Sequence, residues 1–322
     1  MTFPISGVEV NPFIPPLVAF LVATITAPAG VSGAFLLLPF QMSVLGFTSP
    51  AVSATNLIYN IVAIPGGLSR YIRDRRMAWP LTWVVILGTV PGVFAGGLLR
   101  VRYFVDPRTF KLFVGVVLLY LGGRLLYETT GRFLKGKAEM RKLDAKFQEH
   151  VKAMREGNRS RLASGLPADA VVRTVSWSLK RIEYSFWGET FSFSTLGIFA
   201  LALFVGLIGG IYGIGGGAII APFVVSVLGL PIYTVAGAAL AGTFLTSIVG
   251  VGFFYGLSFT AIGSHVPVRP DWMLGILFGI GGFAGTYLGA RLQRYLPERL
   301  IRGVLGVLVT FLAVTYVAQF FR

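Results

Sequence analysis

Apolar residues run along most of this chain in blocks of about twenty, separated by short polar or charged stretches. Runs of that length are long enough to span a bilayer as helices. Phe13 to Phe47 is apolar but too long for one span, about 50 Å if fully helical. Pro28, Gly30 and Gly33 interrupt it, so the pattern predicts two segments, roughly 13–28 and 33–46. Pro50 to Leu68 is the next span, closed by Pro65-Gly66-Gly67, with Arg70, Arg73, Arg75 and Arg76 in the short loop after it. Trp79 to Leu99 and Arg108 to Tyr127 are two more. In the second half, 194–212 and 217–229 flank a glycine run, and spans near 232–256, 272–290 and 301–321 follow.

The pattern changes between Glu128 and Thr190, the one polar, charged part of the chain. Within it Met140, Leu143, Phe147, Val151 and Met154 recur at three and four residues, the stripe of an amphipathic helix. Gly165 and Pro167 end that stripe. Beyond them the period becomes two. Val175, Trp177 and Leu179 fall on one face and Thr174, Ser176 and Ser178 on the other, with Ile182, Tyr184 and Phe186 continuing and Gly188 a turn. Two or three short strands are expected there.

The densest feature is Gly209-Gly210-Ile211-Tyr212-Gly213-Ile214-Gly215-Gly216-Gly217. Each glycine costs a helix roughly 1 kcal/mol relative to alanine, so nine residues with six glycines break one. A broken membrane helix is tolerated where the freed backbone is buried in protein or lines a cavity. A fainter copy lies upstream. With Pro39-Phe40 placed on Pro222-Phe223, Gly30 falls on Gly213, Gly33 on Gly216, Leu45-Gly46 on Leu228-Gly229 and Val52 on Val235. The chain therefore reads as an all-α polytopic membrane protein made of two homologous repeats with glycine-broken helices, plus a small soluble α+β insert. The repeats are 1–127 and 194–322, and the insert is 128–193.

Charge sets the orientation. The composition is 55% hydrophobic and 13% charged, with a formal net charge of +15. The insert holds 14 of the 28 Lys and Arg when Arg124 is counted with it, which places it in the cytoplasm. If each broken pair enters and leaves on one side, the halves are inverted and both termini lie outside. If each pair makes a single crossing, they are not. The Lys and Arg of the remaining loops lean slightly toward inversion. In such a chain the basic excess reflects cytoplasmic loops, not nucleic-acid binding. The chain has no cysteine, which excludes thiol chemistry and disulfides. The start of the chain does not read as a cleaved signal peptide.

No Asp, Glu or His falls within a span, so hydrolytic, metal and proton-relay chemistry lack their groups. No enzyme, metal site or cofactor is expected. What remains are hydroxyls, amides and backbone N–H groups at the helix breaks. A half-helix starting at Gly217 or Gly33 points unpaired N–H groups and its positive dipole end into the protein, which suits an anion. Broken helices of inverted repeats meeting near the midplane are a common transporter arrangement. The candidate substrate-binding residues are Ser32, Gly33, Asn56 and Asn60 in the first half and Gly215, Gly216, Gly217, Thr243 and Thr246 in the second. Asn56 and Asn60 lie one turn apart on one face, and Thr243 sits at the repeat position of Asn60.

Gly213-Ile214-Gly215-Gly216-Gly217 followed by Ala221-Pro222-Phe223 and Leu228-Gly229-Leu230-Pro231 resembles the sulfite exporter TauE/SafE family. So do the small-residue helix Ala236 to Thr243, the Ala78-Trp79 and Asp271-Trp272 starts, and Gly285 to Leu292. The first half departs from that pattern, with Gly30-Val31-Ser32-Gly33-Ala34 in place of the triple glycine. The resemblance implies a secondary carrier of the bacterial inner membrane that exports sulfite, an organosulfonate or a related anion. The expected partners are a small anionic substrate and the lipid bilayer, with a homo-oligomer allowed and no nucleic acid. Two other readings stay open: a passive anion channel, and a membrane-embedded scaffold that recruits a partner through the insert.

Overall fold

The computed structural model describes residues 1–27, 31–73, 75–130, 171–228, 230, 232–292 and 298–321. The amphipathic stripe from Met140 to Met154, with Gly165 and Pro167, lies outside the described residues, as do Pro28, Gly30, Gly229 and Pro231.

The chain is mainly helical. The helices are α1 (Ile14–Thr26), α2 (Ala34–Ser43), α3 (Ala51–Arg73), α4 (Trp79–Tyr103), α5 (Pro107–Thr129), α6 (Thr195–Tyr212), α7 (Gly217–Leu228), α8 (Ile232–Leu257), a short α9 (Ala261–His265), α10 (Trp272–Leu292) and α11 (Glu298–Phe320). Seven of them, α3, α4, α5, α6, α8, α10 and α11, are long and apolar enough to cross a membrane; α1 and α2 are shorter apolar helices. This is a multi-pass membrane protein. Its interior is mainly apolar but also buries Thr55, Asn56, Asn60, Thr243 and Thr246, while Leu87, Leu98, Phe204 and Phe311 face outward.

Local sequence accounts for the ends. Prolines occupy the first turns of α1, α4 and α5, where the missing N–H costs nothing. Asp106 caps α5 by accepting from the Thr109 N–H at 2.8 Å, and Ser194 caps α6 by accepting from Gly197. Two spans run further than the sequence suggests. Pro65-Gly66-Gly67 does not close α3, which continues to Arg73. Its Gly66 lies against the Phe283 ring of α10, so packing supports the helix through the proline. Likewise α4 continues past Leu99 and carries Arg100 inside the bundle.

Close approach between helices is built on small residues. A methyl at Gly206 would fall 2.5 Å from the Thr89 carbonyl oxygen, and one at Gly210 equally close to that of Val93. Gly88, Gly92 and Gly96 on α4 meet α6 in return, backbone to backbone. Helices α1 and α10 approach in the same manner, Gly281 against Pro16 and Gly285 against Phe20. Other pairings include α3 with α8 and α10, α8 with α4, α5 with α11, α2 with α3, and α7 with α6 and α8. Directions follow from which residues meet. Tyr71 lies at Gly237, Leu240 at Gly67 and Leu57 at Gly250, so α3 and α8 run antiparallel.

The polar segment supplies a three-stranded antiparallel sheet in the order β1 (Val172–Trp177), β2 (Arg181–Phe186), β3 (Glu189–Ser194). Trp187 and Gly188 both have positive φ, as a two-residue hairpin turn requires. Ile182, Tyr184, Phe186, Phe191 and Phe193 are buried on one face. The Tyr184 hydroxyl meets Thr234 Oγ1 of α8 at 2.8 Å, and the Val172 N–H donates to the Arg75 carbonyl after α3. Burial raises the Tyr184 phenol well above its ordinary pKa. The simple alternation expected for β1 does not hold: a register shift between Thr174 and Ser176 puts Trp177 opposite Ile182.

Candidate functional site

Helix α6 stops at Tyr212 because Gly213 turns left-handed, with φ +82°. The N–H groups of Gly213 and Ile214 both return to the Gly209 carbonyl, at 2.8 and 3.1 Å. Gly215 is left-handed again, φ +77°, and α7 begins at Gly217. Two left-handed residues in three positions need glycine. In the first half, α1 ends at Thr26 and α2 begins at Ala34 behind Gly33.

Helix α3 ties the two interruptions together. Asn56, fully buried, donates from Nδ2 to the Ala34 carbonyl at 3.0 Å and to the Gly213 carbonyl at 2.9 Å, and its Oδ1 accepts from Gln41 Nε2 at 3.2 Å. One turn on, Asn60 donates to the Ile214 carbonyl at 2.9 Å and accepts from the Ser32 hydroxyl at 2.9 Å. Tyr212 adds a third crossing, its hydroxyl donating to the Phe35 carbonyl at 2.7 Å. The Gly213 and Ile214 carbonyls beyond the end of α6 thus find side-chain donors, and so does the Phe35 carbonyl, to which Pro39 offers no N–H.

On the other flank, α8 lines the second interruption. Thr246 Oγ1 donates to the Gly242 carbonyl at 2.6 Å and accepts from the Gly216 N–H at 3.1 Å. Thr243 Oγ1 bonds back to Ala239 at 2.8 Å, and a methyl at Gly217 would fall 2.6 Å from it. A methyl at Gly216 would strike Thr89 of α4, and one at Gly215 would fall 3.0 Å from Ser247 Oγ.

The nine residues singled out by sequence thus sit at two neighbouring interruptions, and α3 and α8 supply the four side chains from their interior. Their bonding is uneven. Both amide hydrogens of Asn56 are committed to carbonyls, and Thr246 is committed to Gly216. By contrast, the hydroxyl of Ser247 and that of Thr26 are buried with no hydrogen-bond partner among the described residues. Thr26 Oγ1 lies 3.4 Å from a methyl built on Gly33. An unmet buried hydroxyl costs about 1–3 kcal/mol, so these two have hydrogen-bonding capacity to spare beside the two breaks.

Sequence reading passed over Arg100. Its guanidinium is fully buried, 3.6 Å from the Phe110 ring centroid. Nε donates to Ser53 Oγ at 3.2 Å, Nη1 to the Phe104 carbonyl, and Nη2 has no hydrogen-bond partner among the described residues. Ser53 in turn donates to the Ile211 carbonyl at 3.4 Å, just ahead of the Gly213 turn. No carboxylate among the described residues pairs with Arg100. Its signal in the sequence was one of position alone, an arginine one residue past an apolar run.

The other polar groups are structural. Asp271 caps α10, accepting from the Leu274 N–H at 3.1 Å and from Ser6. His265 is exposed on α9. Hydroxyls, amides, two helix starts and a buried cation can bind and release an anion; nothing among them supplies an acid–base pair for bond cleavage.

Residues 16–316 match a protein-family model described as sulfite exporter TauE/SafE, nearly the whole chain. No curated protein and no solved structure matches the chain.

Proposed function

The chain belongs to the sulfite exporter TauE/SafE family, and from that premise we propose that it is a secondary transporter exporting a small anion, sulfite or an organosulfonate, by alternating access. The observation that carries this reading is the double interruption held together by Asn56 and Asn60, with unmet hydroxyls at both breaks. The substrate's oxygens take the hydroxyls of Ser247 and Thr26, together with N–H groups at the starts of α2 and α7. Ser32, Gly33 and Asn60 form one wall; Gly215, Gly216, Gly217, Thr243 and Thr246 form the other. Asn56 positions both walls. Arg100 supplies positive potential behind the second break.

Alternating access requires two halves that rock about the site. Inverted repeats, 1–127 and 194–322, provide them in this reading. Several features support the inversion. Exchanging α1 to α5 with α6, α7, α8, α10 and α11 leaves the six largest helix pairings and the α2–α3 and α7–α8 contacts matched to one another. The corresponding helices α3 and α8 meet antiparallel. The end of α3 and the start of α8 both reach the sheet. On this reading each broken pair enters and returns on one side, and the insert 128–193 lies in the cytoplasm, with the bacterial inner membrane as the site of action.

Flux of radiolabelled sulfite and sulfoacetate in proteoliposomes, with and without an imposed proton gradient, tests the proposal. Saturable flux driven by the gradient is expected. Flux indifferent to any gradient would make the protein a passive anion channel, and absence of anion flux in folded protein would remove the transport reading.

A further inference from the structure

The edge of the sheet carries apolar side chains where a soluble domain would place polar ones. Trp177 is 59% exposed, Leu179 91%, and Val175 is exposed as well. Their height relative to the membrane helices is fixed by hydrogen bonds. Thr195, the first residue of the spanning helix α6, donates from its hydroxyl to the Ser178 carbonyl at 2.8 Å and from its N–H to the Lys180 carbonyl at 3.2 Å. The tip of the β1–β2 hairpin is therefore level with the start of a membrane span. Leu196, one residue into that span, is itself exposed.

Register decides which way Trp177 points. It pairs with Ile182, so it shares the face that carries Ile182 and Tyr184 onto the helices. Because β1 is an edge strand, Trp177 overhangs the bundle and is not covered by it. The bulge at Val175 produces this: without the shifted register, Trp177 would fall on the opposite face. Beside the apolar tip stand the cations Lys180 and Arg181, both exposed, with Arg181 at 3.8 Å from Glu183. An aromatic ring and an aliphatic side chain ringed by lysine and arginine, at the level of a helix start, match the chemistry of the lipid interface.

We infer that the tip of the β1–β2 hairpin, with Trp177 and Leu179 entering the acyl boundary and Lys180 and Arg181 on the phosphates, is a docking surface for anionic phospholipid head groups. The inference does not rest on the transport reading. It gives the sheet a role: β3 runs directly into α6, and α6 ends at the Gly213 turn, so lipid held at the tip fixes the outer end of the helix whose inner end forms the second break.

The test is fluorescence quenching of full-length protein in vesicles containing phosphatidylglycerol or phosphatidylcholine brominated on the upper acyl carbons. The Trp177 contribution is taken as the difference from Trp177→Phe. Quenching at least two-fold stronger by the brominated anionic lipid is expected, with that preference lost in Lys180→Gln/Arg181→Gln. In Leu179→Asp, which leaves Trp177 in place, quenching by both lipids should fall. Equal quenching by the two lipids would overturn the anionic-lipid assignment. Absence of quenching by either, with Trp177 open to acrylamide, would place the tip in water and overturn the docking surface altogether.

Discussion

Asn60 on α3 donates to the carbonyl of Ile214 at 2.9 Å across 154 residues of sequence. The same side chain accepts from Ser32, so one amide touches both interruptions. Together with Asn56 it turns two separate helix breaks into one polar locus inside an apolar bundle.

Removing Asn56 should be among the most damaging single changes. Asn56→Leu leaves the Gly213 carbonyl without its donor and the Gln41 amide without its acceptor in a dry interior. At about 1–3 kcal/mol per unmet group, the loss should reach roughly 2–6 kcal/mol. Thermal unfolding in detergent should show a clear drop in midpoint, larger than for Asn60→Leu, which strands the Ile214 carbonyl and the half-buried Ser32 hydroxyl.

Gly216 and Gly92 separate two kinds of intolerance. A methyl at Gly216 meets the side chain of Thr89, whereas one at Gly92 meets the backbone of Leu203 and Leu207. Gly216→Ala should therefore be destabilising and recover in part in Gly216→Ala/Thr89→Gly, which removes the Cβ and Cγ2 it strikes, while Gly92→Ala should resist rescue by any side-chain change on α6. Expression and monodispersity on size exclusion read the difference.

Arg100 should matter through its charge and its fork together. Arg100→Gln should cut anion flux tenfold or more, because the positive potential behind the second break is lost. Arg100→Lys keeps the charge but cannot bond Ser53 and the Phe104 carbonyl at once, so it should recover part of the flux. Equal flux in all three proteins would assign Arg100 to helix-end packing alone.

Much of this was legible in the sequence, for identifiable reasons. Glycine density at 209–217 marked the second interruption, because two left-handed residues leave few alternatives to glycine. The polar residues of α3 and α8 stood out, because an amide in an apolar run must be answered by partners. Family membership was carried by the same glycine run. What was hidden depends on three-dimensional neighbours. Pro65-Gly66-Gly67 read as a helix end, yet α3 continues because Phe283 covers it. Arg100 lay beyond the expected end of its span, and only the fold shows it buried against Ser53. The bulge at Val175 shifts one residue and is invisible to an alternation count. That Asn56 spends both hydrogens on the chain itself could not be read without the carbonyls in place.

Ser247 offers the most direct test of the central claim that the interruptions hold an anion. Its hydroxyl is buried beside Gly215 and has no partner among the described residues. Ser247→Ala removes an unmet polar atom, so the fold should be unharmed or slightly more stable. Binding of radiolabelled sulfite or sulfoacetate to the purified protein should weaken by about five- to tenfold, the worth of one hydrogen bond of about 1–1.5 kcal/mol. Unchanged affinity in Ser247→Ala would contradict the assignment of the substrate to these breaks.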